Sequence, residues 1–300
     1  MNSRYTNEQV LSAAHKVRKQ VLEFVIERGG CYLAQACSGA EILCTLYMQV
    51  MNLGESEGCP DALPFPGVPS ASNMDYQRGS AYNGPRSPEL DRFFLSPAHY
   101  ACVLYSTLEQ CGRISHAAVE KFNVDGWNME MIGAEHSPGF ETTAGSLAQT
   151  VSIAAGTAHA RKLKGECGRV FVMLSDGELQ EGQTWEAIQA ASFYGLDNLV
   201  IYIDVNGHQL EGLTKDVMNI EPLEDRFKAF GAACVCVDGH NVDELRLAAE
   251  TEHQGKPMVV LCYTSPSRDM PLVAAREPYT HFIRLKPDEV EEAKAFYRNM

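Results

Sequence analysis

Val170-Phe171-Val172-Met173-Leu174-Ser175-Asp176-Gly177 is the stretch that decides the fold. Five apolar residues in a row, two of them β-branched, stop at a Ser-Asp-Gly turn. A run that short, bounded by turn residues, predicts a strand buried on both faces. The pattern returns at Leu199-Val200-Ile201-Tyr202-Ile203, which ends at Asp204, and a helical pattern over Thr184–Tyr194 lies between. Strand, helix, strand is the unit that joins two parallel strands. Two more apolar strands follow, Ala232–Val237 and Met258–Cys262, with helical stretches Pro222–Phe230 and Asp243–Glu252 between the strands. The alternation predicts an α/β fold: a doubly wound, mostly parallel sheet with helices on both faces. Such sheets bind ligands beyond the carboxyl ends of their strands. Asp176 and Asp204-Val205-Asn206 fall there.

Upstream, Val10, Ala14, Val17, Val21 and Val25 recur at helical spacing and predict a helix over Glu8–Glu27. Gly29-Gly30 links it to a second helix ending in Ala40–Met51. Asn52–Pro88 then has no helix or strand period and holds Pro60, Pro64, Pro66, Pro69, Pro85 and Pro88. A loop this long is usually functional or disordered. Helical pattern resumes over Pro97–Gln110, Ser146–Lys164 and Lys286–Tyr297. Without an internal repeat, we expect one domain over residues 1–300 with a Pro/Gly-rich insertion at about 52–88.

The net charge of −14 disfavours nucleic acid and anionic lipid as partners. The ten cysteines include no C-x-x-C pair, and runs such as Cys234-Val235-Cys236 read as buried free thiols of a reducing cytoplasm. No stretch approaches the roughly 18 apolar residues of a membrane span, and Met1–Gln9 is too polar for a signal peptide. The expected location is cytoplasmic.

Asp176-Gly177-Glu178 places a carboxylate after a buried strand, beside a glycine that lets backbone approach a phosphate. Asp-Gly is also a common turn pair, so this alone is weak. Asp204-Val205-Asn206-Gly207-His208 follows the next strand and adds an amide oxygen and backbone carbonyls. Together they offer the hard oxygen ligands that Mg²⁺ on a diphosphate requires.

The stretch from Ser175-Asp176-Gly177-Glu178-Leu179-Gln180-Glu181-Gly182, through Asp197-Asn198, to Asp204-Val205-Asn206-Gly207-His208 resembles the thiamine diphosphate motif of the transketolase family, G-D-G-E-x-x-E-G with a following N-N pair. Asp91-Arg92-Phe93-Phe94-Leu95-Ser96-Pro97-Ala98-His99 resembles its D-R-F-x-L-S-K-G-H. Pro138-Gly139-Phe140-Glu141 through Gln149 resembles its P-G-x-E-x-x-x-G-x-L-G-Q, and Asp238-Gly239-His240-Asn241 agrees as well. The resemblance covers nearly all of the chain outside Asn52–Pro88.

The resemblance implies thiamine diphosphate and Mg²⁺ as cofactors. Asp176, Asn206 and the His208 backbone carbonyl would hold the metal. Ser175, Gly177 and Glu178 would line the diphosphate site, and Gly145, Ser146 and Leu147 the cofactor's middle. His99 and His281 would face diphosphate and substrate. Glu181 would be a buried carboxylate near a subunit interface. Family enzymes also need a domain that binds the cofactor's pyrimidine, and none follows before Met300. The implied protein is therefore the N-terminal subunit of a split transketolase, inactive alone and completed as α₂β₂ by a separate pyrimidine-binding subunit. It would move a two-carbon ketol unit from a ketose-type donor to an aldehyde or ketone acceptor. A decarboxylating E1-type subunit for 2-oxo acids and an inactive scaffold are the alternatives.

Four positions depart from the pattern. Tyr32, in Gly30-Cys31-Tyr32-Leu33-Ala34, stands where the family has a histidine. So does Met131, in Glu130-Met131-Ile132. Ser175 and Asp197 replace a glycine and an asparagine. Tyr32 donates a hydrogen bond but is a poor base near neutral pH. The lost histidines and the long loop point to an unusual donor or acceptor: a specialised biosynthetic sugar or scaffold, or ordinary sugar phosphates with altered specificity.

Overall fold

A computed structural model describes residues 5–67, 70–74 and 76–300. Pro69, expected in the long loop, lies outside the described residues with Val68 and Asp75. The described strands are β1 (Arg92–Leu95), β2 (Val170–Ser175), β3 (Leu199–Val205), β4 (His208–Gln209), β5 (Gly212–Leu213), β6 (Ala233–Asp238) and β7 (Met258–Tyr263). Five form one sheet in the order β1-β2-β3-β7-β6, and every pairing in it is parallel. β4 and β5 make a small hairpin beyond the end of β3. The register sets Ser175 beside Asp204, so β2 and β3 end together.

Strand side chains alternate between two cores, as period two requires. Phe171, Met173, Val200, Tyr202, Met258 and Val260 point to one face. It is covered by α1 (Asn7–Glu27), α2 (Leu33–Thr45), α3 (Ala101–Gln110) and the helix Val242–Ala248. Val170, Val172, Leu174, Ile201, Ile203 and Leu261 point to the other face, under the helices Gln149–Lys164, Gly182–Phe193 and Leu223–Ala229. β2, β3 and most of β7 are near-continuously apolar because neither face meets water, whereas the edge strand β6 is only partly covered.

α1 starts at Thr6, whose hydroxyl accepts from the Gln9 backbone while the Gln9 side chain accepts from the Thr6 backbone. α2 is buried on every side, which explains its small residues. At Gly39 a Cβ would stand 3.1 Å from the Tyr100 ring and 3.2 Å from Met173. Its one charged residue is paired: Glu41 takes the buried Arg18 guanidinium and His240. Asn241 then caps the helix Val242–Ala248, so Asp238-Gly239-His240-Asn241 is scaffold.

Several boundaries differ from the sequence expectation. The second helix ends at Thr45 and continues as a π-turn, Leu46–Val50. The helix expected from Ser146 begins at Gln149, because Ala148 adopts a left-handed φ of 65°. β1 is a strand that the periodicity did not reveal. The long loop is stapled rather than structureless in its described parts. Leu63 N–H donates to Asn128 Oδ1 at 2.9 Å, Phe65 N–H donates to the Gly126 carbonyl at 2.8 Å, and Gly79–Asn83 forms a largely buried 3₁₀ turn. Six cysteines are buried free thiols, but Cys236 lies on the sheet-edge strand β6 and is exposed, as is Cys167. No helix among the described residues is long and apolar enough to cross a membrane.

Candidate active site

β1 is built from the motif residues themselves. Asp91 accepts from the Asn52 and Arg169 backbones at 2.8 and 2.7 Å. Arg92 is buried and paired with Glu141, which also accepts from Asn83. The Asp91-Arg92 and Pro138–Glu141 stretches thus knit the strand to the loop. β1 then delivers Ser96 and His99 to the carboxyl edge.

At that edge Asp204 is fully buried and fully engaged. It accepts from the hydroxyls of Ser38, Thr264 and Tyr100, the last at 2.7 Å, and from Asn206 Nδ2 at 3.3 Å. Burial still pushes its pKa up. Glu178 is also fully buried. It accepts from Ser96 Oγ, from Ala148 N–H at 2.8 Å and from Ser175 N–H at 3.1 Å. Expected along the diphosphate site, Glu178 is instead turned inward. Its carboxylate ties three chain segments together beneath the cleft and closes a capping box with Ser175.

Asp176 is dressed differently. It is 2% exposed, and Oδ2 accepts from Gly207 N–H at 2.8 Å, yet Oδ1 is buried without a partner. Burial first, and then the charge of Asp204, push its carboxyl up to about 7. His208 donates its N–H to Asn206 Oδ1 at 2.9 Å, and its Nε2 is also buried and unpaired. A Cβ on Gly177 would meet only Gln209, at 3.6 Å, so protein packing does not demand that glycine and the space belongs to the cleft. Buried polar atoms without partners are rare and costly. An orphaned carboxylate oxygen of a residue that lines a cavity, beside an amide and a hairpin of backbone carbonyls, is a donor set that fits Mg²⁺ on a diphosphate.

The cleft itself encloses about 400 Å³. Ser175, Gly177, Asn206 and His208 border it on the strand-end side, and Gly145 and Leu147 lie across from them. Asp176 faces an adjoining cavity of about 330 Å³ that shares His208. Ser146 is exposed and does not border the cleft. At the other end three rings from distant segments meet. Tyr32 and His99 have centroids 5.2 Å apart, His99 and His281 5.0 Å, and Tyr32 and His281 5.5 Å. Burial drives the His99 imidazole down to about 3, with His281 adding repulsion. Burial also lowers His281 and raises Tyr32. His281 is held by a backbone clasp, in which Cys31 and Ile283 exchange two hydrogen bonds of 3.0 Å. Ile132 lines the cleft, while Met131 packs on the core. Glu181, expected to be buried, is exposed at the rim of this single chain.

Sequence reasoning missed Ser38, Tyr100 and Thr264 around Asp204, and Gln35 in the cleft. Only the Ser175-x-x-Glu178 capping-box spacing was a readable signal for the buried network.

The description "Transketolase, thiamine diphosphate binding domain" matches residues 67–298. The chain belongs to the transketolase family. An uncharacterized transketolase family protein of Sinorhizobium fredii is 37% identical over 81% of this chain and 89% of its own length. A 6-deoxy-6-sulfo-D-fructose transketolase subunit of a Clostridium species is 30% identical over 86% of each. An apulose-4-phosphate transketolase subunit of Actinobacillus succinogenes is 32% identical over 69% of this chain and 75% of its own length. Among solved structures, the transketolase of Campylobacter jejuni shares the fold, with a TM-score of 0.74 at 21% identity over 98% of this chain. The chain spans only 43% of that transketolase's length.

Proposed function

We propose that this chain is the diphosphate-binding subunit of a two-component transketolase that moves a two-carbon ketol unit between sugars. The observation that carries the reading is Asp176 Oδ1, a buried carboxylate oxygen with no partner at the end of β2. Asp176, Asn206 and the His208 carbonyl would hold Mg²⁺, and Gly177 leaves room for the diphosphate. When bound, thiamine diphosphate supplies a carbon nucleophile and an electron sink for breaking and remaking a carbon–carbon bond beside a carbonyl. This chain's residues position and shield. His99, kept neutral by burial, hydrogen-bonds without carrying charge, and Tyr32 stays protonated as a donor.

The exposed Glu181 and the cleft opening beside it support a companion subunit that closes the site, in an α₂β₂ assembly. Two relatives are themselves named as subunits. Their names carry a sulfo-sugar and a sugar phosphate, and with the replaced histidines at positions 32 and 131 they support a specialised sugar substrate. We treat residues 1–300 as one domain and place it in the cytoplasm, where buried free thiols persist.

The test is reconstitution with the pyrimidine-binding companion. The pair should bind thiamine diphosphate in a Mg²⁺-dependent way by calorimetry and transfer a ketol unit, and the pure chain should not. Cofactor binding that ignores Mg²⁺ would sink the site, and ketose turnover by the pure chain would sink the two-subunit arrangement. Turnover of xylulose 5-phosphate with ribose 5-phosphate at a housekeeping rate would remove the specialised substrate.

A further inference from the structure

Gln35 sits in the first turn of α2, is 5% exposed, and borders the cleft. Its Nε2 lies 3.4 Å from His281 Nδ1, while its Oε1 is buried with no partner. A neutral imidazole has one nitrogen that donates and one that accepts. With the amide N–H directed at it, Nδ1 is the acceptor, so the His281 proton sits on Nε2. The corner therefore offers one acceptor, Gln35 Oε1, and one donor, His281 Nε2–H.

A hydroxyl both donates and accepts, so it satisfies that pair; a phosphate or carboxylate oxygen only accepts and leaves Oε1 orphaned. The charges agree. Among the described residues that border the cleft there is no lysine or arginine, while Glu181 and Glu211 both border it. Away from the Mg²⁺ site, an anionic group would find no counter-charge from the residues of this chain that border the cleft.

We propose that Gln35 is a specificity-determining residue that, with His281, reads a neutral hydroxyl of the acceptor sugar and discriminates against acceptors lacking it. This rests on the transketolase reading above and names what this chain's half of the site recognises. Gln35 does not touch the bond that breaks; it acts on binding. A site built to hydrogen-bond a hydroxyl rejects the analogue without one, because its own polar groups are then left unpaired.

The test uses the reconstituted pair with hydroxypyruvate as common donor and two three-carbon acceptors, D-glyceraldehyde and propanal, which differ only in hydroxyls. Gln35→Met keeps the side chain's length and removes both amide atoms. It should raise KM for D-glyceraldehyde about 10- to 100-fold, leave kcat within twofold, and leave propanal kinetics and calorimetric thiamine diphosphate affinity unchanged. Equal losses on both acceptors, or no loss on either, would overturn the proposal. Should Gln35→Met fail to fold, ¹⁵N NMR of wild-type His281 decides instead: an Nε2–H tautomer at neutral pH upholds the pair, and an Nδ1–H tautomer overturns it. Failure of the transketolase reading looks different, since the wild-type pair would then turn over neither acceptor and the proposal would fall with it.

Discussion

The floor of the cleft and its working surface are made of the same residue types, paired in opposite ways. On the floor, the carboxylates of Asp204 and Glu178 collect hydrogen bonds from Ser38, Tyr100, Thr264, Ser96 and two backbone N–H groups. On the surface, Asp176 Oδ1, Gln35 Oε1 and His208 Nε2 are buried and have nothing to bond. Satisfied polar groups fix a structure, whereas unsatisfied ones are carried at a cost in stability. The floor holds β2 and β3 in register, and the surface is left incomplete for something to complete.

If that contrast is right, floor substitutions cost stability and surface substitutions cost binding. The largest effect expected is Asp204→Ala. It leaves the buried Ser38 and Tyr100 hydroxyls and the half-buried Thr264 hydroxyl without their acceptor and should destabilise the chain by about 4 kcal/mol, read from urea unfolding. A loss below about 1 kcal/mol would erase the distinction between the two regions. Asp176→Asn should leave unfolding almost unchanged but weaken Mg²⁺-dependent cofactor binding by more than about 100-fold, since even outer-shell partners of metals cost 10- to 100-fold. Calorimetry on the assembled pair measures it, and unaltered affinity would move the metal elsewhere.

Acid titration sharpens the comparison from the surface side. His99 is held neutral in the fold, with its pKa depressed to about 3 by burial, while an unfolded histidine titrates near 6.5. Below that value the unfolded chain binds a proton the fold refuses. The contribution of His99 is whole above about pH 6.5 and declines as the pH falls, at about 1.4 kcal/mol per unit, until the folded pKa is reached. His99→Phe should flatten the fall in Tm between pH 6.5 and 4.5, and an unchanged slope would assign the acid sensitivity to other groups. The smallest effect belongs to Tyr32→Phe. Removing one neutral donor should lower kcat/KM of the pair about threefold, measured in the two-acceptor assay. A loss of a thousandfold would make Tyr32 more than a hydrogen-bond donor.

The sheet was legible because burial on both faces writes apolar runs at β2, β3 and β7, and the partly covered β6 is apolar enough to stand out by composition. β1 did not, since four residues that include Arg92 carry too little periodicity. Strand order was equally silent, because the insertion of β7 between β3 and β6 is a long-range pairing. At the site, Asp176 and Asn206 were readable from their distance past apolar runs. The meeting of Tyr32, His99 and His281 was available only through resemblance, as their segments join from opposite ends of the chain. Gln35 was invisible, since an unpaired oxygen is a property of surroundings and leaves no mark on the sequence. Glu178 was misplaced for the reverse reason: the glutamate of Asp176-Gly177-Glu178 looks like a ligand until its three donors are counted.

The clasp between Cys31 and Ile283 closes a loop that spans most of the sequence. The five parallel strands, Arg92 to Tyr263, all lie within that loop, so none of their ladder hydrogen bonds depends on the clasp. It buttons the His281 segment to the residues that lead into α2. Closing so long a loop costs chain entropy that local contacts do not, so the mouth of the cleft should open at lower free energy than the sheet beneath it, which hydrogen exchange at Cys31 and Ile283 would read.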